Sequence, residues 1–96
     1  MKIIHFENQN FDDLIKEKVL VDFYADWCGP CKMLGPELEK VESDLSVVKV
    51  NVDEHEEIAR SYGVMSIPTI VLFNNSQEIK RNIGFINKSK IEEFIK

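Results

Sequence analysis

Residues 19–31 read Val19-Leu20-Val21-Asp22-Phe23-Tyr24-Ala25-Asp26-Trp27-Cys28-Gly29-Pro30-Cys31. Through Ala25 the stretch is apolar on both alternating faces, the pattern of a strand covered on two sides, and so belongs in the middle of a sheet. From about Pro30 to Leu45 the spacing changes. Met33, Leu34, Leu38, Val41 and Leu45 recur at three and four, which predicts a long helix kinked near Pro36. The two cysteines therefore sit where a central strand hands over to a helix.

Working outward, Ile3, Ile4 and Phe6 suggest a first strand, and Asn10 followed by Asp13 is a helix-start signal ahead of Phe11, Leu14 and Ile15. Downstream, Val47 to Asp53 alternates and is rich in valine, a strand, and Glu56 to Tyr62 reads as a short helix closed by Gly63. Thr69–Phe73 and Glu78–Ile83 make two strands across a gap of hairpin length, Asn74-Asn75-Ser76-Gln77. The chain ends in a helix with Asn87 as N-cap and Ile91, Phe94 and Ile95 on one face. The order β-α-β-α-β-α-β-β-α starts with parallel units and finishes in an antiparallel hairpin. The expected class is α/β, a mixed sheet with helices on both faces.

The 96 residues, 44% apolar and without repeats or Gly/Ser linkers, suit one domain spanning 1–96. Seventeen acidic against twelve basic side chains give a net charge of -5, a field that repels phosphate backbones and argues against nucleic acid as partner. No apolar run approaches the roughly 18 residues of a membrane span, and the start of the chain shows no signal peptide, so neither membrane nor export is expected. Its two cysteines are three apart, unlike the bridges that staple small secreted domains, and a reducing cytoplasmic setting is expected.

Their placement carries the chemistry. First-turn N–H groups lack intrahelical partners and the helix dipole is positive there, so Cys28 is held toward the thiolate, the nucleophile of disulfide exchange. Cys31, one turn further on, is placed to attack the resulting mixed disulfide and release the substrate. Pro30 stiffens the turn where no N–H is needed, and Gly29 lets another backbone approach the sulfur. As a structural bridge the pair would close a four-residue loop and contribute about 2 kcal/mol, tying nothing distant together. A zinc site needs four ligands, and only His5 and His55 remain to supply them, so no metal and no cofactor is expected. Both histidines read as surface residues.

Asp22 is the odd residue in an apolar strand. Burial should raise its pKa, and a raised carboxyl behind Cys31 would take its proton; alternatively it lies at the strand's wet end or pairs with a lysine. Lys49, on the neighbouring strand, would moderate that pKa or else belong to a solvated face. Trp27, in the strand-to-helix loop, caps the site and offers apolar contact. For Ile67–Pro68, the about 5–6% incidence of cis X–Pro bonds in folded proteins makes trans the expectation from residue type alone.

The run Val21 to Met33, with its Trp27-Cys28-Gly29-Pro30-Cys31 core, closely resembles the active-site strand and helix start of the thioredoxin family. Pro36, Lys49–Asp53, Tyr62-Gly63-Val64, Ile67-Pro68-Thr69 and Gly84 extend the resemblance over nearly the whole chain. It implies a thioredoxin fold, a five-stranded mixed sheet of order 1-3-2-4-5 flanked by four helices, with a cis Ile67–Pro68 bond. It further implies a protein-disulfide reductase with Cys28 as nucleophile, Cys31 as resolving group, Asp22 as buried acid–base group and Lys49 its neighbour. Trp27, Gly29, Pro30, Ile67, Pro68 and Gly84 would line an apolar docking surface for disulfide-containing proteins. A flavin- or ferredoxin-linked thioredoxin reductase would recharge the dithiol, and the chain would act as a monomer.

Tyr24 stands where many members carry tryptophan, Phe85 where a small residue is common, and Ser76 where glycine usually occupies a turn that wants positive φ. Rival readings are a dedicated oxidant or isomerase, a glutathione-dependent enzyme, whose usual intervening pair is Pro-Tyr, and a binding scaffold or dedicated redox partner that docks without general turnover.

Overall fold

In the computed structural model, which describes residues 1–96, the central element is β2 (Val19–Tyr24). It pairs in parallel with β3 (Ser46–Asn51) on one side and antiparallel with β4 (Thr69–Asn74) on the other. β1 (Lys2–His5) adds in parallel outside β3, and β5 (Gln77–Ile83) adds antiparallel outside β4, giving the order β1-β3-β2-β4-β5. Four helices complete the fold: α1 (Phe11–Leu14), α2 (Gly29–Lys40), α3 (Glu56–Ser61) and α4 (Lys88–Phe94). The expected sheet order and element sequence are both present.

Strand alternation sorts the core into two layers. Val19, Val21 and Phe23 of β2 join Val48, Val50, Val71 and Phe73 beneath α1 and α3, with Phe6 and Phe11 closing that layer. Leu20 joins Val47, Ile70 and Leu72 on the opposite face, packed by Leu34 and Leu38 of α2 and Ile91 of α4. Asp22 has the parity of Leu20, and Lys49 that of Val47. Their register, Asp22 opposite Lys49 and also opposite Ile70, puts a carboxylate and an ammonium side by side on the face that α2 covers.

Helix starts follow the capping logic read from the sequence. Asn10 Oδ1 accepts from the Asp13 N–H at 3.1 Å, and Asn87 Oδ1 from the Lys90 N–H at 3.0 Å. α2 runs through Pro36 but ends at Lys40, five residues before the expected Leu45. Val41 is extended (φ -72°, ψ 123°), and Ser43 Oγ accepts from the Leu45 N–H at 3.1 Å, a local bond that competes with helix. Val41 and Leu45 still face the core, so their spacing reports burial beyond the helix that suggested it. β3 likewise stops at Asn51, whose Oδ1 accepts from the N–H groups of Asp53 and Glu54 and turns the chain. His55 is half-buried rather than on the surface, its ring edge-on to Phe6 at 4.8 Å.

The hairpin closes on Asn75 and Ser76, both left-handed (φ 54° and 64°), the two-residue turn whose twist matches the flanking strands. Ser76 thus occupies a positive-φ position of the kind glycine usually fills. The N–H groups of both turn residues bond to Lys16 O and Ile15 O, tying the hairpin tip to the end of α1.

Candidate active site around Cys28 and Cys31

β2 delivers the chain to Ala25, whose carbonyl accepts from the Cys28 N–H at 3.3 Å, and Cys28 itself (φ -87°, ψ 111°) is the N-cap of α2. The place of a capping oxygen is taken by sulfur: the Cys31 N–H donates to Cys28 Sγ at 3.2 Å. The same N–H and the helix dipole are the groups that would stabilise negative charge on that sulfur. The two cysteines are joined in a disulfide, with Cα atoms 5.2 Å apart. Both are buried, in a small apolar cluster with Ala25 against which Tyr24, Val52 and Ile67 pack. Cys28 Sγ lies 3.8 Å from the Ile67 carbonyl oxygen.

Behind this pair Asp22 is 1% exposed, and neither carboxylate oxygen has a hydrogen-bond partner. Lys49 Nζ stands 3.6 Å from its Oδ2, an ion pair longer than a hydrogen bond. Burial pushes the Asp22 carboxyl up to about 6, with the Lys49 charge holding it lower than burial alone would. Lys49 is mostly buried rather than on a solvated face, stands beside Asp22 and lies 4.7 Å over the Tyr24 ring. A cavity of about 200 Å³ is lined in part by Cys31, Tyr24, Lys32, Gly35 and Lys49, so the inner cysteine and the lysine share one space.

Across the disulfide, the Ile67–Pro68 bond is cis, as the resemblance implied and against the expectation from residue type. Thr69 Oγ1 donates to Ser66 O at 2.6 Å around it, and the Gly84 N–H donates to Pro68 O at 2.8 Å, with Gly84 at φ 97°. The Ile67 segment and Gly84 are thereby held together. Ile67 and Gly84 are half-buried, Gly29 and Pro30 exposed, and Pro68 itself buried, so the proline ring underlies this surface rather than lining it.

Trp27 is 70% exposed, and its Nε1–H donates to Asp53 Oδ2 at 2.8 Å. Asp53 is the site residue that sequence reasoning missed; it stands at the end of a valine-rich run, and only the parallel pairing of β2 with β3, which ends both strands side by side, brings it to Trp27. No group of three or more His, Cys, Asp or Glu side chains is arranged to hold a metal ion. No helix is long and apolar enough to cross a membrane.

A redox-active Cys-X-X-Cys disulfide at a helix N-terminus, on this sheet order and beside a buried carboxylate, defines a dithiol–disulfide oxidoreductase. Comparison with known proteins agrees. The thioredoxin family model matches residues 2–96. Thioredoxin of Mycoplasma pneumoniae is 53% identical over 81 residues, covering 81% of this chain and 79% of that one. Thioredoxin of Bacillus subtilis is 40% identical over 100 residues, covering 99% and 96%. Among solved structures, a single-site mutant of the thioredoxin from Halobacterium salinarum superposes with a TM-score of 0.90 at 36% identity, covering 98% of this chain and 88% of that one. The chain belongs to the thioredoxin family and is a protein-disulfide reductase.

Proposed function

We propose that Cys28 is the attacking thiolate, Cys31 the resolving thiol and Asp22 the group that takes the Cys31 proton. In the reduced protein Cys28 S⁻ attacks one sulfur of a substrate disulfide. That S–S bond breaks, the departing sulfur leaves as a thiolate that is then protonated, and Cys28 is left in a mixed disulfide. Cys31 passes its proton to the Asp22 carboxylate and attacks Cys28 Sγ. The mixed disulfide breaks, the second substrate sulfur leaves and takes up a proton, and Cys28–Cys31 forms. Two electrons pass from protein to substrate. The observation that supports this division of labour is the Cys31 N–H aimed at Cys28 Sγ at the start of α2, a donor that favours charge on the outer sulfur alone.

Substrate chains dock on Trp27, Ile67 and Gly84, with Pro68 beneath them and the Ile67 backbone presented to the partner. Gly29 and Pro30 shape the approach to the sulfur, and Lys49 sets the proton affinity of Asp22. The dithiol is recharged by a thioredoxin reductase, flavin- or ferredoxin-linked. On this reading the 96 residues form one domain acting as a monomer in a reducing, cytoplasmic compartment.

The test is turnover of insulin disulfides at pH 7 with dithiothreitol as reductant, beside Cys28→Ser and Cys31→Ser. The expected result is full activity for the unaltered protein, none for Cys28→Ser, and a trapped mixed disulfide for Cys31→Ser. Accumulation of the mixed disulfide on Cys31 in Cys28→Ser would reverse the assignment, and absence of turnover with titratable cysteines would leave a docking scaffold.

A further inference from the structure

The Lys49 ammonium has two places to go. Its present one is inward, 3.6 Å from Asp22 Oδ2 and 4.7 Å over the centre of the Tyr24 ring, with 18% of the side chain exposed. The other is outward, through the cavity of about 200 Å³ that Lys49 lines together with Tyr24, Asp26, Cys31, Lys32 and Gly35. Asp26 is exposed there and offers a solvated carboxylate. Lysine carries a strongly hydrated point charge on a flexible four-carbon stem, so water favours the outward place.

What opposes the outward place is local. The contact with Asp22 is longer than a hydrogen bond, and a carboxyl pushed up to about 6 attracts no cation once it is protonated. On the α2 side stands Gly35, which has no side chain, and even a Cβ there would lie 3.6 Å from Lys49 Nζ. The face of Tyr24 remains. Asp22 and Tyr24, two apart on β2, share one face of the sheet, and Lys49 is opposite Asp22 in the β2–β3 register, diagonally across from Tyr24. Burial and the Asp26, Glu54 and Asp22 carboxylates push the Tyr24 phenol up, so the ring stays neutral and its pull on a cation does not titrate with Asp22. The other ionisable groups around the pair are Cys31 and Lys32 of α2 and the exposed His5, opposite Lys49 on β1; β4 presents Ile70 opposite Asp22.

We propose that Tyr24 is a positioning residue: the face of its ring keeps the Lys49 ammonium inside, beside Asp22, and away from Asp26 and solvent. The ring, and not the hydroxyl, does this, because the ammonium stands over the ring centre. Through Lys49, Tyr24 then governs the pH at which Asp22 ionises. Its catalytic consequence rests on the reading of Asp22 as acceptor of the Cys31 proton: the pH at which the mixed disulfide resolves follows the Asp22 carboxyl, and so follows Tyr24.

The experiment follows the Asp22 carboxyl carbon by NMR against pH in the oxidised protein, beside Tyr24→Phe, Tyr24→Trp and Tyr24→Leu. The expected midpoint is unmoved in Tyr24→Phe and Tyr24→Trp, which keep a ring face. In Tyr24→Leu it should rise by about half a pH unit, a roughly threefold change in proton affinity. Tyr24→Leu should add nothing in a Lys49→Met background, where a mere change in packing or burial would still act. The Lys49 ε-methylene protons of the unaltered protein should resonate upfield of exposed lysines, both below and above the Asp22 midpoint, which tests the contact without any variant. An unmoved midpoint in Tyr24→Leu, an equal rise in Tyr24→Phe, or ε-methylene protons at the ordinary lysine position overturns the proposal. The acceptor reading fails separately. Reaction of the reduced protein with dithiobis(nitrobenzoate) releases two coloured thiols in separate phases, the second first-order, and that reading falls if Asp22→Asn leaves the pH profile of the second phase unchanged.

Discussion

Lys49 Nζ faces Asp22 Oδ2 at 3.6 Å across the β2–β3 pairing, and the carboxylate it faces has no hydrogen bond of its own. One partially offset buried charge thus lies on the α2 face of the sheet, where evolution could have placed a leucine. Its energetic cost and its proposed chemical use are both open to measurement.

Asp22 should make the protein less stable as pH rises. Its carboxyl is raised from 3.8 to about 6, so between about pH 4 and pH 6 the folded chain holds a proton that the unfolded chain has lost. Stability is therefore greatest below pH 4 as far as this group is concerned, falls through the window and stays lower above it, by about 3 kcal/mol at most. Asp22→Asn should flatten that slope and be the more stable protein at pH 7. Urea unfolding of the oxidised proteins from pH 4 to 8 checks this; parallel pH curves would contradict it.

Removing the lysine should act in the opposite sense on the same group. The Lys49 charge lowers the Asp22 pKa, so Lys49→Met should move it above 6. If Asp22 accepts the Cys31 proton, the rate at which a preformed mixed disulfide resolves rises as Asp22 ionises. That rise should shift to higher pH in Lys49→Met and vanish in Asp22→Asn. Stopped-flow release of substrate thiol as a function of pH provides the readout.

Capping and chemistry at Cys28 are separable. In the reduced protein Cys28→Ser keeps an oxygen acceptor for the Cys31 N–H and should hold its stability, whereas Cys28→Ala leaves that N–H without a side-chain partner and should lose about 1 kcal/mol. Both should be inactive. Chemical denaturation of the reduced forms distinguishes them, and equal losses would mean that the sulfur contributes nothing as a cap.

The Asp53–Trp27 bond predicts a spectroscopic signature. Trp27 is the one tryptophan of the chain, so tryptophan emission reports on this ring alone. Asp53→Ala should free the indole, lower its fluorescence anisotropy and raise KM for insulin several-fold. Unchanged anisotropy would mean that packing, and not the hydrogen bond, holds the ring.

Ser76→Gly should stabilise the hairpin. A serine at φ 64° carries a left-handed penalty of about 1 kcal/mol or more that glycine does not, part of which glycine returns as unfolded-chain entropy. The expected net gain is about 0.5–1 kcal/mol, read as a higher urea midpoint. A loss would show that Ser76 makes up its conformational cost elsewhere.

Much of the architecture was legible because it is written in local periodicity. The alternation of β2 and β3, the spacing of Leu34 and Leu38, and the caps Asn10 and Asn87 each act over a few residues. Periodicity is silent about where an element stops when the core continues past it. That is why α2 ends at Lys40 although Val41 and Leu45 remain on the core side, and why Asn51 ends β3 ahead of Val52 and Asp53. The half-buried His55 escaped notice for a related reason: its partner Phe6 lies 49 positions away in the chain.

By itself the sequence determined the order of the elements, the placement of both cysteines at a helix start and the oddity of a carboxylate in an apolar strand. Those properties follow from neighbours within one turn or one strand. Only the tertiary structure decided that Lys49 faces Asp22, that Asp53 holds Trp27, that Pro68 is buried beneath Ile67 and that Gly84 bonds to its carbonyl. Each joins segments far apart along the chain, and their meeting depends on strand order and register, which are settled when the two core layers pack on the sheet.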